Sequence, residues 1–475
     1  MKILISIIIS FILCLQAGCS KYPRLREDSE QSVHFYSLHC ENNVQNHCSA
    51  ILSEDYDYLL VFVYGQSYTV ARDGGYCVTD SIDDNLYALG SVSSTTGSYL
   101  VRVKDTDSAQ NENVAISAVD IIAKLCKEYI DKPVYFIIGN EGRGSRTVLE
   151  LMKESSVRSL LSCEEMEEFE SLDTYENRYS RVTDYLRNLK QWAEKNDKKV
   201  LCPFFIYLQG ESDTHIGVKR HGIISSAGGD YSRYKERLSI LLSDLKKDIV
   251  EATGQSIEPA AFIDNVGNGQ FNDNLSGISQ AQTDLTRELD DVYSCGPYYA
   301  YPSYGSHPTP DGRRWLGEAI AKLFYSAFVD GEDRSIYIDS YAVSGNEVVL
   351  NVNTKYPPLV FDNYTAKKHD DGGFRAFDNK MNGIKINSLT VKDSQIILSF
   401  KSLPKEDFYI SYGGDGLGNV RDSDDWQSTY KYSSNDIGNM PSLAHYPVDK
   451  TGNPIIGRHY PMWNWLPFGF VRIRL

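Results

Sequence analysis

The stretch VLCPFFIYL at Val200–Leu208 is followed directly by Gln209-Gly210-Glu211-Ser212-Asp213. A short run with almost no polar side chain is typical of a strand that is buried on both faces, as in a parallel sheet covered by helices. The polar segment after it leaves the sheet at the carboxyl end of the strand, where open parallel sheets bind ligands. This stretch therefore predicts both an α/β fold and the edge at which a site would form.

The rest of the chain up to about residue 330 repeats this pattern. Further short apolar runs lie at Tyr58–Tyr64, Pro133–Ile138 and Pro259–Ile263. Between them, apolar residues recur at helical spacing within 115–129, 182–192 and 231–250. Alternation of strands and helices predicts a parallel sheet with helices on its faces.

Two more of these strands are followed by small and polar residues. Gly65-Gln66-Ser67 comes after the first run, and Gly139-Asn140-Glu141-Gly142-Arg143-Gly144-Ser145 comes after the second. Turn chemistry alone accounts for any one such loop, because these residue types favour turns. Three of them at one edge of a sheet favour a functional site.

A fourth polar segment, Tyr304-Gly305-Ser306-His307-Pro308-Thr309-Pro310-Asp311-Gly312, precedes the last helical stretch. Thr309 suits the N-cap of that helix, and Pro310 suits its first position. His307 therefore lies on a proline-bounded loop directly before a helix.

In this order, GQS, QGESD and HPTPDG resemble the SGNH (GDSL-type) hydrolase superfamily over residues 56–330. The branch with the greatest resemblance is the sialate O-acetylesterase-like group, which is similar to carbohydrate esterase family 6. The resemblance implies a flavodoxin-like three-layer α/β domain with a parallel sheet, and a serine esterase that needs no cofactor and no metal.

Carried over to this chain, the family pattern makes Ser67 the nucleophile and His307 the general base. A serine hydroxyl needs a base within hydrogen-bond reach, and a carboxylate usually orients that base. The superfamily has an Asp three residues before the His, whereas this chain has Tyr304. We therefore expect Glu211 to be the acid, with Asp213 in reserve.

The family pattern also implies an oxyanion hole. Its donors would be the backbone N–H of Ser67, a backbone N–H of Gly142 or Gly144, and the side-chain amide of Gln209. Tyr68 and Leu208 replace the family's Asn and His at their positions. We expect these two replacements to reshape the substrate pocket.

From residue 335 to residue 475 the pattern changes to strand-like runs without long helical stripes. Pairs of runs flank Ser344-Gly345-Asn346 and Lys392-Asp393-Ser394, and Phe408–Tyr412 is another run. This pattern predicts an all-β, sandwich-like domain. Its tryptophans, Trp426, Trp463 and Trp465, could stack on sugar rings, but core packing is the simpler interpretation.

The amino-acid composition argues against some classes of ligand and binding partner. The 475 residues carry 48 Lys+Arg against 64 Asp+Glu, for a net charge of −16, which argues against a nucleic-acid partner. The sequence contains no CxxC pair of the kind that zinc ribbons use. Asp213, His215 and His221 match no standard metal-ligand spacing.

The N-terminus predicts export. Met1-Lys2 is followed by the apolar run ILISIIISFILCLQA, as in a secretory signal. Gly18-Cys19 then resembles the lipobox of bacterial lipoproteins. We expect residues 1–18 to be a signal peptide, Cys19 to be lipidated, and residues 19–55 to form a tether and N-terminal extension. A freely secreted protein is the alternative.

These observations predict an exported, lipid-anchored bacterial enzyme of the outer membrane, facing the periplasm or the cell surface. The family resemblance implies that its substrate is an acetylated polysaccharide or sialic acid, from which it removes O-acetyl groups through an acetyl-enzyme. Its only membrane contact would be the lipid. Two alternatives stay open: an esterase for lipid or aryl esters, and a non-catalytic glycan-binding lipoprotein.

Overall fold

The structure is a computed structural model. It describes residues 56–70, 77–79, 81–92, 99–105, 111–130, 133–171, 178–214, 226–267, 275–304, 307–331, 333–367, 369, 371–413, 418–433 and 447–475. The predicted signal peptide, the lipidation site Cys19 and the tether lie outside these residues, as do His215 and His221.

A seven-stranded sheet forms the centre of the first unit, in the order β3-β2-β4-β1-β5-β6-β7. Every neighbouring pair is parallel except β2 with β3. The strands are β1 (Tyr58–Gly65), β2 (Leu86–Leu89), β3 (Leu100–Arg102), β4 (Phe136–Asn140), β5 (Val200–Leu208), β6 (Ala260–Asn265) and β7 (Val292–Pro297). The predicted parallel sheet is confirmed, and β5 has the predicted bounds.

Eight α-helices accompany this sheet in the described part of the chain. They are α1 (Val114–Tyr129), α2 (Val148–Leu151), α3 (Glu154–Leu160), α4 (Cys163–Glu170), α5 (Tyr179–Asn196), α6 (Tyr231–Thr253), α7 (Leu275–Glu288) and α8 (Pro310–Tyr325). At the start of α8, the Thr309 side chain accepts from the Gly312 N–H, and Pro310 is the first helical residue. The predicted cap is therefore present.

The core explains why β1 is apolar throughout. Leu59, Val61 and Val63 belong to one buried cluster with residues of α1 and α8. Their neighbours in the chain, such as Leu60 and Phe62, belong to a second cluster with residues of α5 and α6. Because successive side chains of a strand point to opposite faces, the two clusters are the two faces of one sheet. The three-layer arrangement predicted from the sequence is confirmed.

Antiparallel strands make up the rest of the structure. They form two four-stranded sheets, β10-β11-β16-β15 and β14-β13-β17-β21, and three two-stranded sheets, β12-β18, β19-β20 and β8-β9. Their bounds are β8 (Ser303–Tyr304), β9 (His307–Pro308), β10 (Tyr337–Ser344), β11 (Glu347–Asn353), β12 (Val360–Phe361), β13 (Phe374–Phe377), β14 (Gly383–Ile384), β15 (Ile386–Lys392), β16 (Gln395–Phe400), β17 (Phe408–Tyr412), β18 (Val420–Arg421), β19 (Gln427–Lys431), β20 (His459–Pro461) and β21 (Gly469–Ile473). The β10–β11 and β15–β16 hairpins turn at the two predicted positions.

The all-β part packs against the α/β part through aromatic residues. The Tyr460 ring stacks on Trp315 of α8, with ring centroids 5.2 Å apart. Trp465 is buried, which agrees with the core-packing interpretation. Among the helices of the described residues, none is long and apolar enough to cross a membrane.

Candidate active site

Ser67 lies where β1 leaves the sheet, at the edge that the sequence predicts. Gly65 ends the strand with a φ of +136°, and a Cβ there would lie 2.1 Å from the Leu208 carbonyl oxygen. Only glycine fits this close approach between β1 and β5. The chain then turns, with the Thr69 N–H donating to the Gln66 carbonyl at 3.0 Å. Ser67 is 8% exposed, at the surface of this turn.

The loop after β5 is bonded to this turn through the side chain of Gln66. Its Nε2 donates to Glu211 Oε2, and its Oε1 accepts from the Ser212 N–H at 3.4 Å. The Gln66 N–H also donates to the Leu208 carbonyl at 2.8 Å. The first and third polar segments of the sequence are therefore in direct contact.

The loop after β4 contacts the same turn from the other side. The Arg143 N–H donates to the Gly65 carbonyl at 2.8 Å, and Asn140 Nδ2 donates to the Thr69 carbonyl at 2.5 Å. At Gly142 a Cβ would lie 1.6 Å from Thr69 Oγ1, so this position excludes any side chain. All three predicted strand-end loops meet around Gln66–Thr69.

His307 reaches the same place from the fourth segment. It lies in the β8–β9 hairpin, where its partner is Tyr304. Its ring centroid is 5.9 Å from that of Tyr68, the residue after the predicted nucleophile. The structure therefore brings His307 to the Ser67 turn through Tyr68, while a hydrogen bond between Ser67 and His307 stays a prediction.

The Glu211 carboxyl group accepts a hydrogen bond from the Gln66 side chain. The carboxyl group is buried, and its Oε1 has no hydrogen-bond partner among the residues described. Burial raises the pKa of Glu211 well above 4.5, and the nearby Asp264 carboxyl raises it further. The contact with His307 that the sequence predicts for Glu211 stays a prediction.

Asp264 is a site residue that the sequence analysis missed. It lies near the carboxyl end of β6, is fully buried, and accepts from the Gln209 N–H at 3.3 Å. Burial raises its pKa from 3.8 to about 8. The rule that identified the other loops would have found it, because Asp264-Asn265 directly follows the predicted strand Pro259–Ile263.

Gln209 and Asp213, predicted as an oxyanion donor and a reserve acid, are bonded to each other inside the protein. Gln209 Nε2 donates to Asp213 Oδ2 at 2.7 Å and to the Arg146 carbonyl at 3.0 Å. Asp213 also accepts from the N–H groups of Ala227 and Val148, both at 2.8 Å. These bonds support the loops, and both predicted roles would require them to break.

The two glycines predicted for the oxyanion hole differ in their surroundings. The Gly142 N–H donates to Asn140 Oδ1 at 3.1 Å, so that donor already has an acceptor. Gly144 lies two residues further along the same loop, in a turn that is half-buried. Of the two, Gly144 is the better placed to offer its N–H to a ligand.

Across the residues whose structure is described, no group of three or more His, Cys, Asp or Glu side chains is placed to hold a metal ion. Asp422 and Asp424, which the sequence brings close together, bond instead to protein groups. Asn464 Nδ2 donates to Asp422 at 2.7 Å, and Lys322 forms an ion pair with Asp424 at 2.8 Å.

No protein-family model matches the sequence, and no curated protein matches it. Solved structures do match. A carbohydrate acetylesterase from Xanthomonas citri aligns with a TM-score of 0.53 at 14% identity, covering 77% of this chain and 81% of that one. A protein from Arabidopsis thaliana aligns with a TM-score of 0.37 at 13% identity, covering 57% of this chain and 98% of that one. NanS aligns with a TM-score of 0.36 at 14% identity, covering 57% of this chain and 99% of that one.

The first of these likenesses extends over most of both chains. At this identity it is a likeness of fold. The mainly parallel seven-stranded sheet with helices on both faces also agrees with the architecture that the sequence resemblance implies. The chain therefore has the fold of the SGNH hydrolases.

Proposed function

We propose that this protein is a serine esterase that removes O-acetyl groups from a carbohydrate. One observation carries the proposal: the ring of His307 lies 5.9 Å from that of Tyr68, on the turn that also holds Ser67. A hydroxyl nucleophile and an imidazole base at one sheet edge are the elements that acyl transfer requires.

In the proposed reaction, Ser67 Oγ attacks the acetyl carbonyl while His307 takes its proton. The tetrahedral intermediate collapses, the sugar oxygen leaves with the proton from His307, and an acetyl-enzyme remains. Water then attacks this ester, with His307 again as base, and acetate leaves. The negative oxygen of each intermediate needs donors that are already in place. We assign this role to the N–H groups of Ser67 and Gly144.

We assign Glu211 a positioning role in this reaction. Its carboxylate accepts from Gln66, so it holds the residue next to the nucleophile. In that role it acts on Ser67 through Gln66. We assign no carboxylate to His307, because Tyr304 stands where the superfamily has Asp and the hydrogen bond that Glu211 makes goes to Gln66.

The substrate class rests on the sequence resemblance, and a carbohydrate acetylesterase of the same fold supports it. The test is acetate release from acetylated xylan, acetylated mannan and O-acetylated sialic acid, compared with hydrolysis of octanoyl and palmitoyl esters. We expect activity on at least one acetylated glycan and little on the long acyl esters. A preference for long acyl chains would instead favour a lipid esterase.

Ser67→Ala tests whether the protein is catalytic, with Ser212→Ala on the neighbouring loop as the matched control. Loss of a triad nucleophile typically lowers turnover by a thousandfold or more. We expect that loss in Ser67→Ala alone. If wild type and Ser67→Ala are equally inactive on every glycan, the result favours a glycan-binding module, the alternative that Tyr304 motivates.

We also propose that the enzyme is exported and lipid-anchored at Cys19 to the bacterial outer membrane. The support is the signal-like run that ends at Gly18-Cys19. Expression of wild type and Cys19→Ser, followed by membrane fractionation, tests this. Wild type should sediment with membranes and Cys19→Ser should not. Equal release of both into the soluble fraction would favour the freely secreted form.

A further inference from the structure

A cleft of about 110 Å³ lies between the α/β part and the all-β part. Its lining includes neither Ser67 nor His307. A single water needs only about 10–15 Å³ of such a cavity, so the cleft has room for a larger molecule. Binding sites occur preferentially at such boundaries between structural units.

One wall of the cleft is the edge of the seven-stranded sheet. Strand β7, Val292–Pro297, lines it along its whole length, and Tyr293, Ser294 and Cys295 are half-buried there. Among the described strands, β7 pairs only with β6. Polar groups of this strand, among them the Ser294 hydroxyl, which accepts from the Gly296 N–H at 3.0 Å, give this wall a hydrogen-bonding character that suits sugar hydroxyl groups.

Another part of the lining is aromatic and comes from the all-β part. Trp463 is half-buried in the lining, and the Arg421 guanidinium lies 3.4 Å from the centre of its ring. Tyr337 also lines the cleft, with Arg287 4.5 Å from its ring centre. Each ring is thus held in place by an arginine. Flat rings and hydrogen-bonding groups in one cleft match a sugar, which has C–H faces and a hydroxyl rim.

The charges of the lining decide between a neutral and an anionic ligand. Its three cations are paired: Arg287 with Asp339 at 3.7 Å, Lys322 with Asp424 at 2.8 Å, and Arg334 with Asp330 at 2.8 Å. Asp290 and Asp333 add negative charge to the same lining. An anionic sugar would meet compensated cations and additional carboxylates, so the charges favour a neutral one.

We propose that this cleft is a second carbohydrate-binding site, which takes a neutral sugar unit of the glycan that the enzyme deacetylates. The proposal rests on the proposed function for the glycan, but its site, its residues and its ligand chemistry are separate from the reaction. It assigns Trp463 to the recognition of sugar, a role that the sequence left open.

The test measures binding of cellotetraose, xylotetraose and mannotetraose to the full chain carrying Ser67→Ala, by isothermal titration calorimetry. Binding to this variant is independent of catalysis, so failure of the esterase proposal and failure of this one are distinguishable. We expect at least one neutral tetrasaccharide to bind. Trp463→Ala in the same background should weaken that binding about tenfold or more, because one central aromatic contact often dominates recognition.

Matched variants distinguish loss of the binding site from misfolding of the protein. Trp192→Ala removes another partly buried tryptophan, one outside the cleft, and should leave binding unchanged. Thr286→Trp fills the cleft from α7, and Thr183→Trp is its control. Both threonines donate to a carbonyl of the preceding helical turn, but only Thr286 lines the cleft. In the Ser67→Ala background, Thr286→Trp should abolish binding. With Ser67 intact, Thr286→Trp should hydrolyse 4-nitrophenyl acetate at the wild-type rate.

Three results would overturn the proposal: binding that Thr286→Trp leaves intact, binding only of an anionic probe such as trigalacturonate, or no binding of any neutral tetrasaccharide.

Discussion

Gln66, the residue before the predicted nucleophile, donates a buried side-chain hydrogen bond to Glu211. The bond joins the loops that follow β1 and β5, two neighbouring strands at the centre of the sheet. Gln66 also accepts from the Ser212 N–H, so its amide is held at both ends. The position of Ser67 therefore depends on a glutamate far away in the sequence.

The hydrogen bond from Gln66 allows two roles of Glu211 to be told apart: positioning of the nucleophile and service as the triad acid. A positioning role needs only an oxygen that accepts from Gln66, and Glu211→Gln keeps such an oxygen. A triad acid needs the negative charge, and loss of that charge in a serine protease lowers turnover by about 10⁴-fold. We expect Glu211→Gln to lower kcat less than about tenfold, and Glu211→Ala to lower it about a hundredfold, because the nucleophile is then misplaced. Steady-state kinetics on 4-nitrophenyl acetate measures both.

The pH profile is the control for this prediction. Under the positioning role, Glu211→Gln leaves the midpoint of the rise in kcat/KM unchanged, since the environment of the base is unaltered. A drop of thousands-fold in Glu211→Gln, or a midpoint moved to lower pH, would return Glu211 to the role of triad acid.

Asp213 should matter for stability. Its two oxygens accept from Ala227, Val148 and Gln209, and it is fully buried. Asp213→Asn turns one oxygen into a donor that faces an N–H group, which costs about 1–3 kcal/mol for each group left unsatisfied. Thermal unfolding should show a lower Tm. Asp230→Asn is the matched control: Asp230 caps α6, and Asn caps equally well. Equal Tm values for the two variants would refute this role.

The raised pKa of Asp264 predicts how the stability of the folded protein depends on pH. Burial raises its folded-state pKa from 3.8 to about 8. Between these values the folded chain keeps a proton that the unfolded chain has lost, so this group makes stability fall as pH rises. Asp264→Asn removes the titration and keeps an oxygen for the Gln209 N–H. The Tm of the variant minus that of wild type should therefore increase from pH 4 to pH 8.

Differential scanning fluorimetry at one-unit pH steps measures this difference. Each kcal/mol corresponds to roughly 2–4 °C in a domain of this size. Thr183→Ala, on α5 outside the site, removes no titrating group and should give a difference that does not change with pH. A flat difference for Asp264→Asn as well would mean that Asp264 is ionised in the folded protein.

The sequence predicted those parts of the site that follow from local patterns. Continuous apolar runs located β1, β4, β5 and β6, and parallel pairing brought their loops to one edge. The short β2 and β3 went unpredicted, because strands of so few residues carry too little periodicity. The partner of Glu211 could not be predicted either. Motif order places Glu211 near the site, but only packing decides whether it meets Gln66 or His307.

The contact between the α/β part and the all-β part also could not be predicted from the sequence. The change of pattern near residue 335 suggested a separate all-β domain, yet β19 and the segment around β20 lie against α8, the helix that starts just after His307. The Thr429 and Tyr430 N–H groups donate to Glu318 at 2.9 and 2.8 Å. Such contacts depend on long-range packing, which leaves no periodic signal.

Tyr460 tests whether this contact supports the site. Its ring stacks on Trp315, and its hydroxyl donates to Asp311 Oδ1 at 2.5 Å, in the first turn of α8. Tyr460→Ala removes a buried ring, which typically costs about 3–5 kcal/mol. We expect a lower Tm and, at temperatures where the variant is folded, a lower kcat, because the loop that holds His307 leads directly into α8.

Tyr460→Phe keeps the stack and should cost only about 1–3 kcal/mol, for the lost bond to the buried Asp311. Tyr364→Ala, which removes an exposed ring from the same domain, should change neither quantity. If Tyr460→Ala lowered Tm while kcat of the folded protein stayed at the wild-type value, the all-β part would stabilise the fold without positioning the base.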